Sequence, residues 1–85
     1  MDKRIAIIGI VVENRESVPK LNELLHEASE AILGRMGIPL PQHQLNVISV
    51  AICADERTIS TLSGKIGRLS GVSASVTYAR KTIQE

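Results

Sequence analysis

The sequence predicts an α+β fold of ferredoxin-like type, a βαββαβ sandwich in which a four-stranded antiparallel sheet carries two helices on one face. Apolar strand patterns and amphipathic segments follow one another in the order β-α-β-β-α-β, and right-handed crossovers turn that order into a split β-α-β sandwich. The near-continuous apolar runs fall in the first and third strands, which this topology places at the centre of the sheet. The 85 residues are expected to form one domain, residues 1–85.

The first half of the chain predicts a strand followed by a helix. Residues 4–12 are β-branched or apolar at nearly every position, as in a buried strand. Ser17 is expected to cap a helix that has Pro19 in its first turn, and Gly34 is expected to end this helix as its C-terminal cap. The buried stripe has spacings of three and four residues: Val18, Leu21, Leu25, Ala28 and Ile32.

The segment that follows predicts a weaker strand and then a strong one. Residues 35–42 contain Pro39 and Pro41, which donate no hydrogen bond, so this segment is expected to be an edge strand. A turn is expected at residues 42–44, before a strand at residues 45–54 that is rich in Ile and Val.

The last third predicts a second helix and a half-polar strand. Asp55 offers an N-cap, and Gly71 is expected to close the helix. Residues 72–79 then alternate between apolar and polar side chains, which is typical of an edge strand with one buried face. The buried stripe of the helix is Ile59, Leu62, Ile66 and Leu69.

Both faces of the two central strands are mostly apolar, although the two helices can cover only one face. In the third strand Ile48, Val50 and Ile52 point to one side, and the smaller side chains between them point to the other. An uncovered apolar face of several hundred Å² is unusual in a single-chain domain. We therefore expect a homo-oligomer, a dimer or tetramer, that associates through this sheet face. Coverage by twist and loops is the alternative.

The composition argues against several classes of protein. The net charge is +1, and one tyrosine is the only aromatic residue, so the basic patch and stacking platforms of nucleic-acid binders are missing. The first apolar run, residues 5–12, is far shorter than the ~20 residues of a membrane span. Cys53 has no second cysteine to pair with. These features predict a cytoplasmic protein without direct nucleic-acid or membrane binding.

The segment "LGRMGIP" (residues 33–39) raises the question of an anion site. A phosphate-binding loop runs from a strand through glycines into a helix, whereas here the predicted order is helix, glycine, strand. Arg35 is therefore expected to offset the helix dipole or to pair with a carboxylate. Binding of a ligand carboxylate by Arg35 at a subunit junction remains an alternative.

Two other segments are candidate binding elements. Residues 13–16 join the first strand to the first helix and have no glycine, so a solvated turn is favoured over an effector site. Gly64 and Gly67 belong to a stripe of small residues on the second helix, and each interior glycine costs about 1 kcal/mol relative to alanine. Close approach by the first helix or a partner subunit is favoured there over a small-molecule pocket.

The sequence shows no catalytic or metal-binding constellation. Neither His26 nor His43 has an adjacent nucleophile, so no enzymatic activity is expected. The two histidines and Cys53 lack the close spacing of zinc or nickel sites within one chain. We predict no metal, no cofactor and no catalytic residue; a metal shared between subunits stays open.

Three segments together carry a resemblance that runs almost end to end: "ENRESVPKLNELLHEASEAILGRMGIP" (residues 13–39), "ISVAICAD" (residues 48–55) and "LSGKIGRLSGV" (residues 62–72). With these segments the chain resembles the family of proposed regulators of the iron-only hydrogenase system. The resemblance implies an ACT-like, ferredoxin-like regulatory domain that is built as a dimer or higher oligomer.

A more distant similarity is to the metal-binding domain of the nickel-responsive repressor, which has the same order of strands and helices. The positions that correspond to its nickel ligands are Ile38, Leu40 and Asn46, and none of these is a good nickel ligand. The DNA-binding arm of that repressor is also expected to be absent. This similarity therefore supports the fold and the oligomer, and it does not support nickel sensing.

The resulting hypothesis is a non-enzymatic regulatory or ligand-sensing domain whose oligomer creates a small-molecule site at a subunit junction. Asn14, Arg15 and Arg35 are the predicted polar contacts, and Met36 is the predicted apolar lining. Gly64 and Gly67 would allow close approach. The alternatives are a structural or assembly protein that docks on a partner, and a metal-responsive sensor without a DNA-binding arm.

Overall fold

The computed structural model describes residues 2–84, and its elements follow the predicted order. The four strands are β1 (Asp2–Val12), β2 (Ile32–Leu40), β3 (Leu45–Ala54) and β4 (Val72–Gln84), and the two helices are α1 (Val18–Glu27) and α2 (Glu56–Gly67). Short 3₁₀ turns at Arg15–Ser17 and Pro41–His43 precede α1 and β3. The sheet order is β2-β3-β1-β4 with antiparallel neighbours, so β1 and β3 are central as predicted.

The core lies between the sheet and the two helices. Alternate residues of β1 and β3 are buried there, and those of β3 include Ile48, Val50 and Ile52, the set that the sequence placed on one side of the strand. The helices contribute most of the apolar stripes that the sequence indicated. Ala28 and Ile32 lie beyond the end of α1, and Leu69 lies beyond the end of α2, and all three are only half-buried. The buried apolar residues are Ala6, Ile8, Ile10, Val12, Leu21, Leu24, Leu25, Ile48, Val50, Ile52, Ala54, Ile59, Leu62, Ile66 and Val72.

The first helix ends at Glu27 with Ala28 as its C-cap, so the cap lies six residues before the predicted Gly34. A turn at residues 28–31 is closed by backbone hydrogen bonds, among them Ala31 N to Ala28 O at 2.9 Å. Ile32 then pairs with Ile52 as the first residue of β2. Gly34 consequently lies inside an edge strand, just after a bulge at Leu33. Arg35 therefore does not follow the helix end directly and approaches α1 from the edge strand, so that its predicted interaction with the helix dipole stays a prediction.

The start of α1 also differs from the prediction. Ser17 occupies the N-cap position but makes no capping hydrogen bond with its side chain. Its buried hydroxyl instead donates to the backbone oxygen of Ser70 at 2.6 Å, which ties α1 to the turn after α2. Asn14 caps the preceding 3₁₀ turn by accepting a hydrogen bond from Glu16 N.

At the other end of the sheet, Arg4 links β1 to β4 and α2. Its guanidinium lies 4.7 Å from the ring centre of Tyr78 and forms a 2.8 Å ion pair with Glu56. The same group donates to Ala79 O at 3.3 Å, beside a bulge where β4 carries extra residues opposite β1. The chain's aromatic side chain is therefore packed against a cation of its own chain.

Asp55 caps α2 as predicted, because its carboxylate accepts a hydrogen bond from Thr58 N at 2.8 Å. Hydrogen bonds from the side chain and the backbone of Thr58 lower the pKa of Asp55. A carboxyl group with a lowered folded-state pKa stabilises the fold above its unfolded pKa of about 3.9, and this contribution is lost as the pH falls through the folded-state value.

We expect Asp55→Ala to be destabilised relative to wild type at pH 6, and this difference in unfolding free energy to shrink as the pH falls below about 4. Urea unfolding of both proteins at pH 6 and at a pH below about 4 measures this difference. Asp55→Asn keeps a capping oxygen but has no titrating group. Its unfolding free energy should therefore differ from that of Asp55→Ala by the same amount at the two pH values. A wild-type advantage over Asp55→Ala that stayed constant with pH would contradict the role of the charged cap.

Candidate functional site

The open face of the sheet, opposite the helices, is mostly apolar. Four of its apolar side chains are strongly exposed: Ile7 at 43%, Met36 at 59%, Ile38 at 46% and Leu40 at 36%. In the middle of this face, away from both ends of the strands, the strand register places no charged side chain. The residues of this middle part are Ile5, Ile7, Gly9, Val11, Gly34, Met36, Ile38, Leu40, Leu45, Val47, Ser49, Ala51, Cys53, Ser73, Ser75 and Thr77.

A trough crosses the middle of the open face. Gly9 lies between Ser49 on one neighbouring strand and Ser75 on the other, so three small residues stand side by side. Val11 and Ile7 flank this row along β1. A hollow of ≈ 250 Å³ opens between Gly9, Val11 and the residues around them on β3 and β4.

Among residues 2–84, no contact requires a glycine at position 9. Its φ is not positive, and a Cβ there would have an ordinary contact of 3.8 Å with Ser75 Oγ. Glycine inside a strand weakens the strand and often marks a place where another molecule approaches closely. The trough is therefore a candidate surface for contact with another molecule.

A second hollow, the end cavity, lies where β1 ends and the β2–β3 connection turns. It has a volume of ≈ 480 Å³ and combines both signs of charge, since Glu13 and Arg15 both line it. Leu45, an open-face residue, forms part of its rim. The full lining is Val12, Glu13, Arg15, Pro39, Pro41, Gln44, Leu45 and Asn46.

A third hollow, the α1–β2 hollow, lies on the helix side of the sheet edge. Arg35 reaches it from β2, and one guanidinium N–H donates to Asn22 Oδ1 at 3.4 Å. The volume is ≈ 310 Å³. In the strand register Arg35 lies opposite the buried Val50, so it is on the helix side of the sheet. Met36 lies opposite Ser49, so it is on the open face. The lining is Asn22, Leu25, His26, Ser29, Ile32 and Arg35.

The remaining predicted site residues are placed elsewhere or engaged in structural contacts. The amide nitrogen of Asn14 donates to Ser70 Oγ at 3.2 Å, so this side chain joins two loops. On α2, a Cβ at Gly64 would meet Arg68 Nη1 at 3.7 Å, and a Cβ at Gly67 would meet nothing within 4 Å. The expectation that the first helix approaches these glycines closely is therefore wrong, and approach by a partner subunit stays a prediction.

The six predicted residues thus do not form one site within the chain. Asn14 and Arg15 lie at one end of the sheet, Arg35 and Met36 lie on opposite faces of β2, and the two glycines lie on α2. Sequence reasoning missed Gly9, although a glycine in the middle of an apolar strand was a usable signal. It also missed Asn22 and His26, whose i, i+4 spacing puts them on one side of α1.

Residues 2–84 contain no group of three or more His, Cys, Asp or Glu side chains positioned to hold a metal ion. His26 is on α1, and His43 is in the 3₁₀ turn before β3. Among the same residues no helix has the length and hydropathy that crossing a bilayer requires.

Element order, sheet order and the single helical layer define a ferredoxin-like α+β domain, which confirms the predicted fold class. The chain belongs to the TM1266-like family, described as "Iron-only hydrogenase system regulator, putative", whose model matches residues 4–76. The predicted family resemblance is thereby confirmed.

A solved structure supports the same assignment. The uncharacterized protein TM1266 from Thermotoga maritima is similar to this chain with a TM-score of 0.88 at 38% sequence identity. The similarity covers 92% of this chain and 99% of that one. The comparison with curated proteins gave no significant match.

Proposed function

We propose that this chain is a non-enzymatic, ligand-sensing regulator of the iron-only hydrogenase system that acts in the cytoplasm as a homo-oligomer. The family description supports the regulatory role. The observation that carries the oligomer is the uncharged open face with its four exposed apolar side chains. Like-charge repulsion, a common obstacle to self-association, is absent from the middle of this face.

The size of the open face suits a second copy of the chain. Strands about 4.8 Å apart and about eight residues long at about 3.3 Å per residue give four strands an area of about 500 Å². Two copies stacked face to face would hide about 1,000 Å² in total, which is the lower limit for a specific interface. Burial of this face between two copies would also stabilise the fold, because a domain this small has only a marginal core of its own.

The end cavity is the proposed small-molecule site at the subunit junction. Leu40 and Leu45 lie at the end of the open face, and Leu45 also belongs to the cavity rim, so a second copy on that face would narrow the opening. Arg15 would bind an anionic group of the ligand, and Glu13 would bind a cationic or hydrogen-bond-donating group. Asn46 and Gln44 supply amides to the same cavity.

Two measurements test the proposal. Sedimentation velocity at micromolar concentration should give at least twice the 9.2 kDa chain mass. In a thermal-shift screen of metabolites, a true ligand at a hundred times its Kd should stabilise the folded state by about 2.7 kcal/mol. Arg15→Gln should abolish that shift, whereas Arg80→Gln, at an exposed position on β4, should retain it.

The outcomes separate the regulator from its rivals. A monomer would overturn the oligomer, and an Arg15→Gln protein that kept the ligand shift would overturn the end cavity as the site. An oligomer that responds to no metabolite or metal would favour the assembly role. Stabilisation by nickel alone would favour the metal-responsive sensor.

A further inference from the structure

We propose that the α1–β2 hollow binds a small organic carboxylate with a short apolar tail. This site is formed by one chain and lies on the opposite side of the sheet from the open face, so it does not depend on self-association. It concerns a surface separate from the end cavity. Its residues are Asn22, Leu25, His26, Ser29, Ile32 and Arg35.

The hydrogen-bonding groups of the hollow come from two elements that face each other. Asn22 and His26 are one helical turn apart on α1, and Ser29 follows in the turn after it, so all three stand along one side of the hollow. Arg35 reaches in from β2 on the other side, as its contact with Asn22 demonstrates. Amide, imidazole, hydroxyl and guanidinium groups can all donate to an oxyanion.

Charge distinguishes this hollow from three others that contain a cation. Each of those also contains a carboxylate that can neutralise the cation, whereas the α1–β2 hollow contains Arg35 and no acidic residue. Its net charge therefore favours an anionic ligand. In the three other hollows the cations and carboxylates are Arg57 and Lys65 with Glu27, Arg15 with Glu13, and Lys3 with Glu30 and Asp55.

The nearby C-terminal end of α1 does not cancel this preference. A helix C-terminus repels anions through its free carbonyl groups. Here the turn satisfies two of these carbonyls, since Leu25 O accepts from Ala28 N at 3.2 Å and His26 O accepts from Ser29 N at 3.1 Å. Their partial negative charge is directed into the turn.

The hydrogen bond from Arg35 to Asn22 is weak enough for a ligand carboxylate to replace it. Its 3.4 Å bond to a neutral amide oxygen is long, whereas charge-assisted bonds to a carboxylate are about 2.7–2.9 Å and can form in parallel pairs. The apolar side chains of Leu25 and Ile32 line the same hollow and suit a hydrocarbon tail. A volume of ≈ 310 Å³ limits the ligand to a small molecule.

An NMR titration of ¹⁵N-labelled protein with sodium butyrate tests the site. We expect saturable shifts of amide signals within residues 22–35, with a Kd of about millimolar. Butylamine, which has the same tail and the opposite charge, should give no saturable shift there, and inorganic phosphate, which has no tail, should bind more weakly than butyrate.

Variants separate binding from a purely structural role of Arg35. A charge that faces inward on an edge strand also discourages edge-to-edge pairing, and Arg35→Lys retains that function. Because lysine lacks the planar fork, Arg35→Lys and Arg35→Gln should both weaken butyrate binding by about tenfold or more. Arg80→Gln should leave it unchanged.

Four results would overturn the assignment: no saturable shift with butyrate, equal shifts with butylamine, equal affinity for phosphate, or undiminished binding by folded Arg35→Gln. The titration can be repeated on a monomeric variant. Failure of the oligomer and failure of the carboxylate site are therefore separately measurable.

Discussion

Gly9→Val should convert the proposed homo-oligomer into monomers at micromolar concentration without loss of secondary structure. The substitution places a branched side chain in the trough on the open face, between Ser49 and Ser75. Even one added methylene group destabilises a close-packed interface. A valine side chain at position 9 would hold the sheets of the two copies apart along the row of small residues.

The same substitution should not destabilise the isolated chain. A Cβ at this position has an ordinary 3.8 Å contact with Ser75 Oγ and no closer one outside its neighbouring residues. Replacing glycine also reduces the entropy of the unfolded chain, and valine is favoured in strands. The midpoint of thermal unfolding, which depends on concentration for an oligomer, should become independent of concentration.

Gly67→Ala is the matched control, because a Cβ at this exposed helix position meets nothing within 4 Å. It should keep the wild-type mass in sedimentation. Because Gly67 is the last residue of α2, the gain in stability should be smaller than the gain of about 1 kcal/mol at an interior helix position. If Gly9→Val sedimented as wild type while Gly67→Ala dissociated, the interface would lie on α2 and the open-face model would be wrong.

Gly71→Ala should cost about 2–4 kcal/mol of unfolding free energy, a large fraction of the stability of a domain of this size. Gly71 has a φ of 68°, which an L-residue with a Cβ adopts only with strain. The added Cβ would also lie 2.6 Å from Asn14 Cβ and 3.0 Å from Asn14 N.

The surrounding structure leaves little room for relief of that contact. Glu13 N donates to Gly71 O at 2.7 Å, and the Asn14 side chain is bonded to Ser70, so the two loops are joined on both sides of the contact. Urea unfolding of both proteins measures the difference. Gly37→Ala, where a Cβ meets nothing within 4 Å and φ is not positive, should change stability far less. Equal losses in the two variants would contradict this mechanism.

The fold was predictable because the period of two in a strand leaves a direct record in the sequence. Val72 and Val76 alternate with Ser73 and Ser75, so the alternation by itself separates the two faces of β4. The position of β1 and β3 at the centre followed from the same patterns, because apolar side chains on both faces are typical of central strands.

The end of the first helix was not predictable in this way. Ile32 continues the helical spacing of α1, but it is half-buried as the first residue of β2, on the same side of the sheet. Apolar spacing records that a residue faces the core and does not record which element brings it there. The backbone hydrogen bonds of residues 28–31 decide the matter, and they leave no side-chain pattern.

The candidate sites depended on contacts between distant parts of the chain. Asn14 was predicted to touch a ligand, whereas its amide is bonded to Ser70, 56 positions away. The α1–β2 hollow brings Arg35 to a helix thirteen residues earlier in the chain, as the bond to Asn22 records. Loop composition alone contains no information on either pairing.

The alternation of side chains along β2 places this edge strand between the two proposed binding surfaces. Arg35 and Met36 share a peptide group, yet one faces a charged hollow and the other faces the surface proposed for self-association. If an anion bound at the proposed site moved the backbone at Arg35, it would also move the backbone at Met36, without a relay through the core. Thermodynamic reciprocity then requires that assembly of the chains change the anion affinity by the same factor by which the anion changes assembly.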